Sequence, residues 1–208
     1  SGTDLNVRRT DNGLPWVRNS NAAPSNIILT GSGACRVGAT SVIGLYYVGG
    51  LTMGDCSVGA RLRVTTTLNS ARYFGVAARY QAGSDSGYAL YYQPTSGLVL
   101  RRFIAGTGTT LGGYNPASPT ATDDKFHRPG TDRDIRLECI GSKIRAYLDG
   151  VLVVSATDTT YASGFVGLYG VFADSDSTGT HIAGWEAQAG AGGWPDTGGT
   201  AIYRGGPT

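Results

Sequence analysis

Acidic, hydroxyl and imidazole side chains are the groups in this chain that could carry out hydrolysis. Retaining glycoside hydrolysis needs an acid and a nucleophile about 5 Å apart, usually both carboxylates. The chain has two glutamates, Glu138 and Glu186, and neither has an acidic neighbour in the sequence. A Ser-His-Asp hydrolase is also poorly supported, because no G-x-S-x-G segment occurs and only His127 and His181 could act as the base. The motifs therefore predict a protein that is not an enzyme, although two aspartates could still pair in space.

One acidic turn could bind a metal ion. Asp174-Ser-Asp176-Ser-Thr-Gly179 places two carboxylates two residues apart before a glycine, with hydroxyls and carbonyls nearby. Hard cations such as Ca²⁺ take oxygen ligands from bent loops of this kind. The motif lacks the distal glutamate of an EF-hand, and Asp/Ser/Gly turns are usually solvated loops. No cofactor is required, but Ca²⁺ at Asp174 and Asp176 is a candidate, with Asp123-Asp124 as a weaker one.

Tyrosines and arginines on neighbouring predicted strands form the candidate ligand-binding residues. Tyr88 and Tyr91 lie in one strand, and Arg79 and Arg101 lie in the strands before and after it. If Leu90 faces the core, Tyr91 points to the opposite face of the sheet, near whichever arginine shares that face. Aromatic faces beside hydrogen-bonding groups suit sugars, which present both C–H faces and hydroxyls. The alternative is that these side chains simply cover the sheet.

The cysteine count is odd, which limits the disulfides that one chain can form. Cys139 is in phase with Ile135 and Leu137, so we expect it to face the core as a small apolar residue. Cys35 and Cys56 could pair in an oxidising compartment, but the sequence does not show that their strands are neighbours. A metal site at the cysteines is weaker still, because no two lie within a few residues of each other.

Composition favours an all-β domain. Among 208 residues there are 33 glycines, 8 prolines, 1 methionine and 15% charged residues, so helix formers are scarce. A hydrophobic share of 40% with a net charge of +2 excludes a disordered chain. The basic residues form no stripe, which argues against nucleic acid, and no apolar run approaches the roughly 18 residues of a membrane span.

Short alternating runs between Gly, Pro, Asn, Asp and Ser clusters predict the strands. Residues 58 to 67 alternate apolar side chains with arginines and threonines, and residues 143 to 155 form a hairpin around a type I′ turn at Asp149-Gly150. Residues 105 to 133 are predicted as one long loop. The other predicted strands are 26 to 30, 35 to 38, 42 to 48, 73 to 80, 88 to 93, 98 to 104, 165 to 172 and 181 to 188.

Strand number and spacing predict a two-sheet antiparallel jelly-roll sandwich with a single core. We expect residues 1–24 to form an N-terminal arm with the first strand, and residues 25–188 to form the jelly-roll domain. Residues 189–208 contain seven glycines and are typical of a C-terminal arm or linker. That arm could dock on a neighbouring subunit or lie along its own domain.

Five segments occur in an order typical of one family. They are Asn12 to Trp16, Tyr73 to Tyr80, Ser86 to Tyr91 with Leu98 to Arg101, Ile144 to Gly150, and Asp158 to Leu168. Together they resemble the laminin G-like, concanavalin A-like jelly rolls of bacterial and bacteriophage proteins. The first segment departs from the pattern, because Pro15 stands where the family has glycine.

The resemblance implies a non-catalytic adhesion or decoration protein displayed on a virion or cell surface, binding carbohydrate. Many arginines and aspartates, with few lysines and glutamates, point to a GC-rich genome and so to a bacteriophage or bacterial source. The expected location is the virion or the extracellular space, with other surface proteins and further copies of the chain as partners. The alternatives are a secreted bacterial carbohydrate-binding module cut from a larger enzyme and, less favoured, a glycoside hydrolase of the same fold.

Overall fold

A computed structural model describes residues 3–19, 27–29, 34–38, 43–64, 73–93, 96–115, 132–171, 180–190 and 203–205. These residues form sixteen strands in two antiparallel sheets, with a short 3-10 turn at Leu5–Val7. Within the same residues there is no helix with the length and apolar character that crossing a bilayer requires. The predicted all-β, two-sheet jelly-roll sandwich is confirmed.

The first sheet has nine strands. Its order is β1-β3-β4-β15-β6-β11-β12-β13, and β16 also pairs with β15. The strands are β1 Thr3–Asp4, β3 Ile27–Leu29, β4 Cys35–Val37, β6 Cys56–Val64, β11 Asp132–Ile140, β12 Lys143–Leu148, β13 Val151–Thr157, β15 Thr180–Ala189 and β16 Tyr203–Gly205.

The second sheet has seven strands, in the order β10-β9-β8-β7-β14-β5-β2. Alternation along them sends one set of side chains toward the first sheet and the other set outward. The strands are β2 Trp16–Arg18, β5 Ile43–Met53, β7 Tyr73–Tyr80, β8 Gly87–Gln93, β9 Gly97–Ile104, β10 Thr107–Tyr114 and β14 Gly164–Val171.

The main core lies between the sheets. Val58, Ala60 and Leu62 of β6 point inward and pack with residues such as Leu90 of the facing sheet, as the predicted alternation requires. The hairpin turn is confirmed as well. Asp149 and Gly150 have φ values of +48° and +81°, the two left-handed positions of a type I′ turn.

The prediction of one long loop over residues 105–133 is wrong in its first part. Residues 107–114 form β10, the edge strand of the seven-stranded sheet, and pair with β9. Most of this strand is exposed or half-buried, so its sequence, Thr-Gly-Thr-Thr-Leu-Gly-Gly-Tyr, has no apolar alternation to reveal it. A strand with little buried surface resembles a loop in sequence.

Both ends of the chain contribute strands to the sandwich. At the N-terminal end, β1 joins the nine-stranded sheet and β2 joins the seven-stranded one. Trp16 in β2 is buried and makes an edge-to-face contact with Trp185, with 4.9 Å between the ring centroids. At the C-terminal end, β16 pairs with residues 185–187 of the same chain. At 203–205 the backbone therefore lies along its own sheet.

The cysteines do not pair as the sequence had allowed. All three are free and buried, so Cys35 and Cys56 form no disulfide. Cys35 lies in β4 and Cys56 in β6, and β15 runs between those two strands. Cys56 instead stands opposite Cys139 of β11. Cys139 belongs to the main core, as predicted.

Candidate functional site

A second apolar cluster lies on the outer face of the seven-stranded sheet. Tyr91 belongs to it, whereas its neighbour Leu90 faces the main core, which confirms the orientation predicted for this strand. The aromatic residues of this outer face come from four strands, β7, β8, β9 and β14, and we refer to them as the aromatic face. They are Tyr73, Tyr80, Tyr91, Phe103 and Tyr169.

Three tyrosine rings of the aromatic face form a stacked row. The centroids of Tyr73 and Tyr91 are 5.1 Å apart, with 22° between the ring planes. The centroids of Tyr91 and Tyr169 are 5.7 Å apart, with 26° between the planes. Phe103 adds a tilted ring 5.2 Å from Tyr169. Distances in this range are typical of favourable aromatic pairs.

Gly75 makes the row possible. It pairs with Tyr91 on one side and with Tyr169 on the other, so the two rings flank a position without a side chain. A Cβ at residue 75 would lie 2.0 Å from the carbonyl oxygen of Leu90 and 2.5 Å from the Cα of Tyr91. The close approach of β8 to β7 therefore requires glycine at this position.

Charged groups lie at the margins of the aromatic face. Arg101 of β9 is half-buried, and its Nε donates to the hydroxyl of Thr110 at 3.2 Å. Burial raises the pKa of Tyr91 to about 12, and the Arg101 guanidinium opposes that shift. In the turn between β7 and β8, Asp85 accepts a hydrogen bond from the Tyr80 hydroxyl. Burial raises the pKa of the Asp85 carboxyl, and the bond from Tyr80 acts in the opposite direction.

Access to the aromatic face is uneven. Tyr91 is 1% exposed and Tyr169 is 2% exposed, so both rings are held in place from all sides. Tyr73 and Arg101 are half-buried and present part of their side chains to solvent. A ligand would first meet these two residues, which stand at the rim of the row.

Arg79, predicted as a ligand-binding residue, lies elsewhere and is 1% exposed. Strict alternation would send it outward beside Tyr91. The pairing of β7 with β14 shifts by one residue between Ala77 and Tyr80, however, and Arg79 has a φ of +49°. This bulge turns the guanidinium toward the end of the sandwich. There it donates to the carbonyls of Gly54 at 2.7 Å, Gly141 at 2.8 Å and Tyr161 at 3.0 Å.

Tyr88, the fourth predicted ligand-binding residue, faces the main core. Its hydroxyl donates to Asp158 at 2.6 Å, and Arg102 donates to the other carboxylate oxygen at 2.7 Å. Asp158 also accepts the backbone N–H of Thr160. The Asp158 to Leu168 motif therefore fixes a turn at the sheet end. Of the four predicted residues, the structure brings Tyr91 and Arg101 together and holds Tyr88 and Arg79 apart from them.

The predicted metal ligands Asp174 and Asp176 lie outside the described residues, as do Asp123, Asp124 and His127. Among the residues that are described, no group of three or more His, Cys, Asp or Glu side chains could hold a metal ion.

The two glutamates lie on strands of the nine-stranded sheet, away from the aromatic face. Glu138 is buried and accepts hydrogen bonds from Arg145 at 3.0 Å and from the Tyr147 hydroxyl at 3.2 Å. Arg136 lies within 3.8 Å of its other oxygen. Glu186 pairs with Gly59 in the neighbouring strand. The Glu138 carboxylate is thus already bound by two arginines and a tyrosine hydroxyl.

No protein-family model matches the chain, and no curated protein sequence does. Solved structures match it in fold. Carbohydrate binding module CBM66 from Bacillus subtilis gives a TM-score of 0.61 at 15% identity, covering 80% of this chain and 90% of the module. The exoplasmic/lumenal domain of VIP36, in its Ca2+/Man-bound form, gives 0.56 at 13% identity, covering 85% and 84%. The botulinum neurotoxin serotype D binding domain gives 0.52 at 10% identity, covering 86% and 44%.

These likenesses show that the chain has the jelly-roll sandwich fold of those domains. Sequence reasoning missed Tyr73, Tyr80, Phe103 and Tyr169 as members of the aromatic face, and Asp85 at its margin. The outward phase of Tyr169 next to Leu168 is visible in the sequence, but its place beside Tyr91 depends on the pairing of β14 with β7, and six other strands lie between these two in the chain. That pairing has no signal in a single sequence.

Proposed function

We propose that this chain is a non-catalytic carbohydrate-binding domain whose ligand lies on the aromatic face. The observation that carries the proposal is the stacked row of Tyr73, Tyr91 and Tyr169 with Arg101 at its rim. Sugar C–H faces pack against aromatic rings, and sugar hydroxyls accept hydrogen bonds from planar donors. The rim of the row offers both kinds of contact, an aromatic ring in Tyr73 and a planar donor in Arg101, while the buried Tyr91 and Tyr169 support the Tyr73 ring from behind.

Arg101 supplies the polar contact. Its one described hydrogen bond uses Nε, and no described carboxylate lies within ion-pair distance of its guanidinium. Its two Nη groups, with four N–H donors, are therefore available to a ligand, since no described residue uses them. Most other arginines of the two sheets are ion-paired, as Arg61 is with Asp134 at 2.9 Å. An arginine that keeps its donors free beside aromatic rings suits a sugar, and a sugar carboxylate best of all.

The fold likenesses support the same proposal. One similar structure is named a carbohydrate binding module, and another was solved in a Ca2+/Man-bound form. The second also supports keeping Ca²⁺ at Asp174 and Asp176 as part of the proposal. A carbohydrate-binding module is the simplest description of such a domain, whether it acts within a larger enzyme or is displayed on a virion or other extracellular surface.

The arrangement of acids supports a binding role over hydrolysis. Within the described part of the aromatic face, the Asp85 carboxylate lies at the margin, and its oxygen accepts the hydrogen bond from Tyr80. Glycosidases need two carboxyl groups about 5 to 10 Å apart across the scissile bond.

Self-association of the chain is also part of the proposal. Val151 and Leu152 are exposed on β13, an edge strand without charged residues, and such edges pair readily with other chains.

Calorimetric titration with soluble polysaccharides tests the proposal. The panel is mannan, xylan, β-glucan and polygalacturonate, each with and without a calcium chelator. We expect at least one to bind, and Arg101→Gln to weaken that binding by roughly 10- to 100-fold, the worth of one or two charge-assisted hydrogen bonds. Tyr73→Ala should weaken it as well. Arg61→Gln, an exposed arginine on the opposite face of the sandwich, is the matched control and should bind like the wild type.

A comparison of polygalacturonate with its methyl ester tests the role of the Arg101 charge. The two polymers share a backbone but differ in charge. If the wild type prefers the acid and Arg101→Gln loses that preference, Arg101 contacts a sugar carboxylate. No binding across the panel would contradict the proposal. Equal losses in Arg101→Gln and Arg61→Gln would contradict the assignment to the aromatic face.

A further inference from the structure

Two cysteines face each other inside the sandwich. Cys56 is the first residue of β6, and Cys139 is the residue that pairs with it in β11. Both belong to the main core, and neither has measurable exposure. Because their side chains leave neighbouring strands on the same face at the same level, the two sulfur atoms are direct neighbours.

The pairing meets the geometric requirement for a disulfide. Residues directly opposite in an antiparallel ladder have Cα atoms about 4.5 to 5.5 Å apart. Disulfides join residues whose Cα atoms are about 4.4 to 6.8 Å apart. A bond between Cys56 and Cys139 therefore needs rotation of the two side chains and little movement of the backbone.

The surroundings favour ionisation of one thiol over the other. A hydrogen bond from Cys139 lowers the pKa of Cys56 against the effect of burial, and the nearby Arg79 guanidinium lowers it further. The same bond and burial raise the pKa of Cys139. Where Arg79 and the two turns are in place, Cys56 is thus the better nucleophile of the pair, and Cys139 is the second thiol that completes the bond.

Cys35 provides an internal contrast. It is also buried, but it lies in β4 and its pairing partner in β15 is Ile182. Burial raises the pKa of its thiol to about 12. Among the described residues no thiol pairs with Cys35 and no cation lowers the pKa of its thiol, so we expect it to be the unreactive one of the three.

We propose that Cys56 and Cys139 are an oxidation site at which a small-molecule disulfide, such as oxidised glutathione, converts the two thiols to an intrachain disulfide. The Cys56 thiolate attacks one sulfur of the oxidant, which forms a mixed disulfide and releases one thiol. The Cys139 sulfur then loses its proton and attacks the Cys56 sulfur, which releases the second thiol. The protein loses two electrons and two protons, and the oxidant gains both.

The cover over the pair determines when the reaction takes place. The turn containing Gly54 and Asp55 precedes Cys56, and the turn at Gly141 follows β11. Arg79 bonds to both turns, and Asp55 accepts the N–H of Gly141 at 2.8 Å. An oxidant reaches the sulfurs during folding, before these turns meet, or later when they open. Oxidation should accordingly be fast in refolding protein and slow in native protein.

Thiol counting after refolding tests the proposal. The protein is unfolded, refolded in a glutathione redox buffer, and its free thiols are titrated in denaturant. We expect one remaining thiol of the three, with Cys56 and Cys139 joined in the peptide map. Closing a loop of this length should raise the Tm by roughly 10 °C relative to the reduced protein.

Matched variants complete the experiment. Cys35→Ala should oxidise as the wild type does and leave no free thiol, whereas Cys139→Ala should keep both of its thiols and show no oxidant-dependent rise in Tm. The peptide map of the wild type needs no variant to fold. Three titratable thiols after refolding in the oxidising buffer, or a cross-link that includes Cys35, would overturn the proposal.

Discussion

Replacing Arg79 with methionine tests whether this residue is a structural anchor. The guanidinium is 1% exposed and donates to three backbone carbonyls from three different turns. It also contacts Asp55 at 3.2 Å. Methionine keeps much of the apolar stem but removes every one of these donors. The left-handed backbone conformation, with φ of +49°, is equally unfavourable for both side chains, so it cancels in the comparison.

The magnitude follows from the bonds that are lost. A buried acceptor left without its partner costs about 1 to 3 kcal/mol. The three carbonyls belong to turns near the surface, where water can replace the lost donor in part, so the low end applies and their sum is about 3 kcal/mol. The contact with Asp55 adds little, because that carboxylate is largely exposed. We therefore expect Arg79→Met to lose about 3 kcal/mol and roughly 6 to 12 °C in Tm.

Urea unfolding of three variants measures the effect. Arg79→Lys keeps the charge, but its single ammonium group lacks the fork of the guanidinium and cannot reach all three carbonyls. Its loss of unfolding free energy should therefore lie between those of the wild type and Arg79→Met. Arg61→Met, which removes an arginine that is 45% exposed, should change stability by less than about 0.5 kcal/mol. A loss below about 1 kcal/mol in Arg79→Met would refute the anchor role. Loss of ligand binding in folded Arg79→Met, at the level of Arg101→Gln, would show instead that Arg79 contacts the ligand.

Two further changes test the packing and the polar network. Gly75→Ala places a Cβ 2.0 Å from the carbonyl oxygen of Leu90, so we expect a loss of about 3 kcal/mol in thermal unfolding, whereas Gly184→Ala, with nothing within 4 Å, should be nearly neutral; equal stabilities would contradict the steric argument. Burial raises the pKa of Asp158, but hydrogen bonds from Tyr88 and neighbouring groups lower it on balance. Its contribution to stability is therefore present above its unfolded pKa of about 4 and is lost as the pH falls through the folded value. Tm measured from pH 7 to pH 3 should fall less steeply in Asp158→Asn, and superimposable profiles would count against this role.

Alternation and turn chemistry were enough to predict the strands that bury one face. Val58 to Val64 and the hairpin around Asp149-Gly150 both follow from local pattern, because each apolar side chain must reach the core and each turn residue must tolerate its φ. The edge strand β10 was not predicted, because the same argument needs a buried face. With little to bury, its sequence is free of the alternation that burial imposes.

The candidate site was only half visible in the sequence. Tyr91 could be placed on the outer face from its alternation with Leu90, but the sequence left open whether Arg79 or Arg101 joins it there. Tyr169 joins them through the pairing of β14 with β7, two strands separated by more than 80 residues of chain. A pairing between strands so far apart in the chain leaves no local periodicity in the sequence, so the stacked row could not be predicted.

A single extra residue decides the roles of two arginines. Without the bulge in β7, Arg79 would follow Ala77 onto the outer face and join Arg101 beside the tyrosines. The bulge sends it to the end of the sandwich, where it holds the turns that cover Cys56 and Cys139. Strict alternation beyond Ala78 would instead place a cation on the aromatic face and remove it from the thiol pair. The bulge therefore separates the two arginines: Arg101 stays at the rim of the aromatic face, and Arg79 lies beside the two thiols.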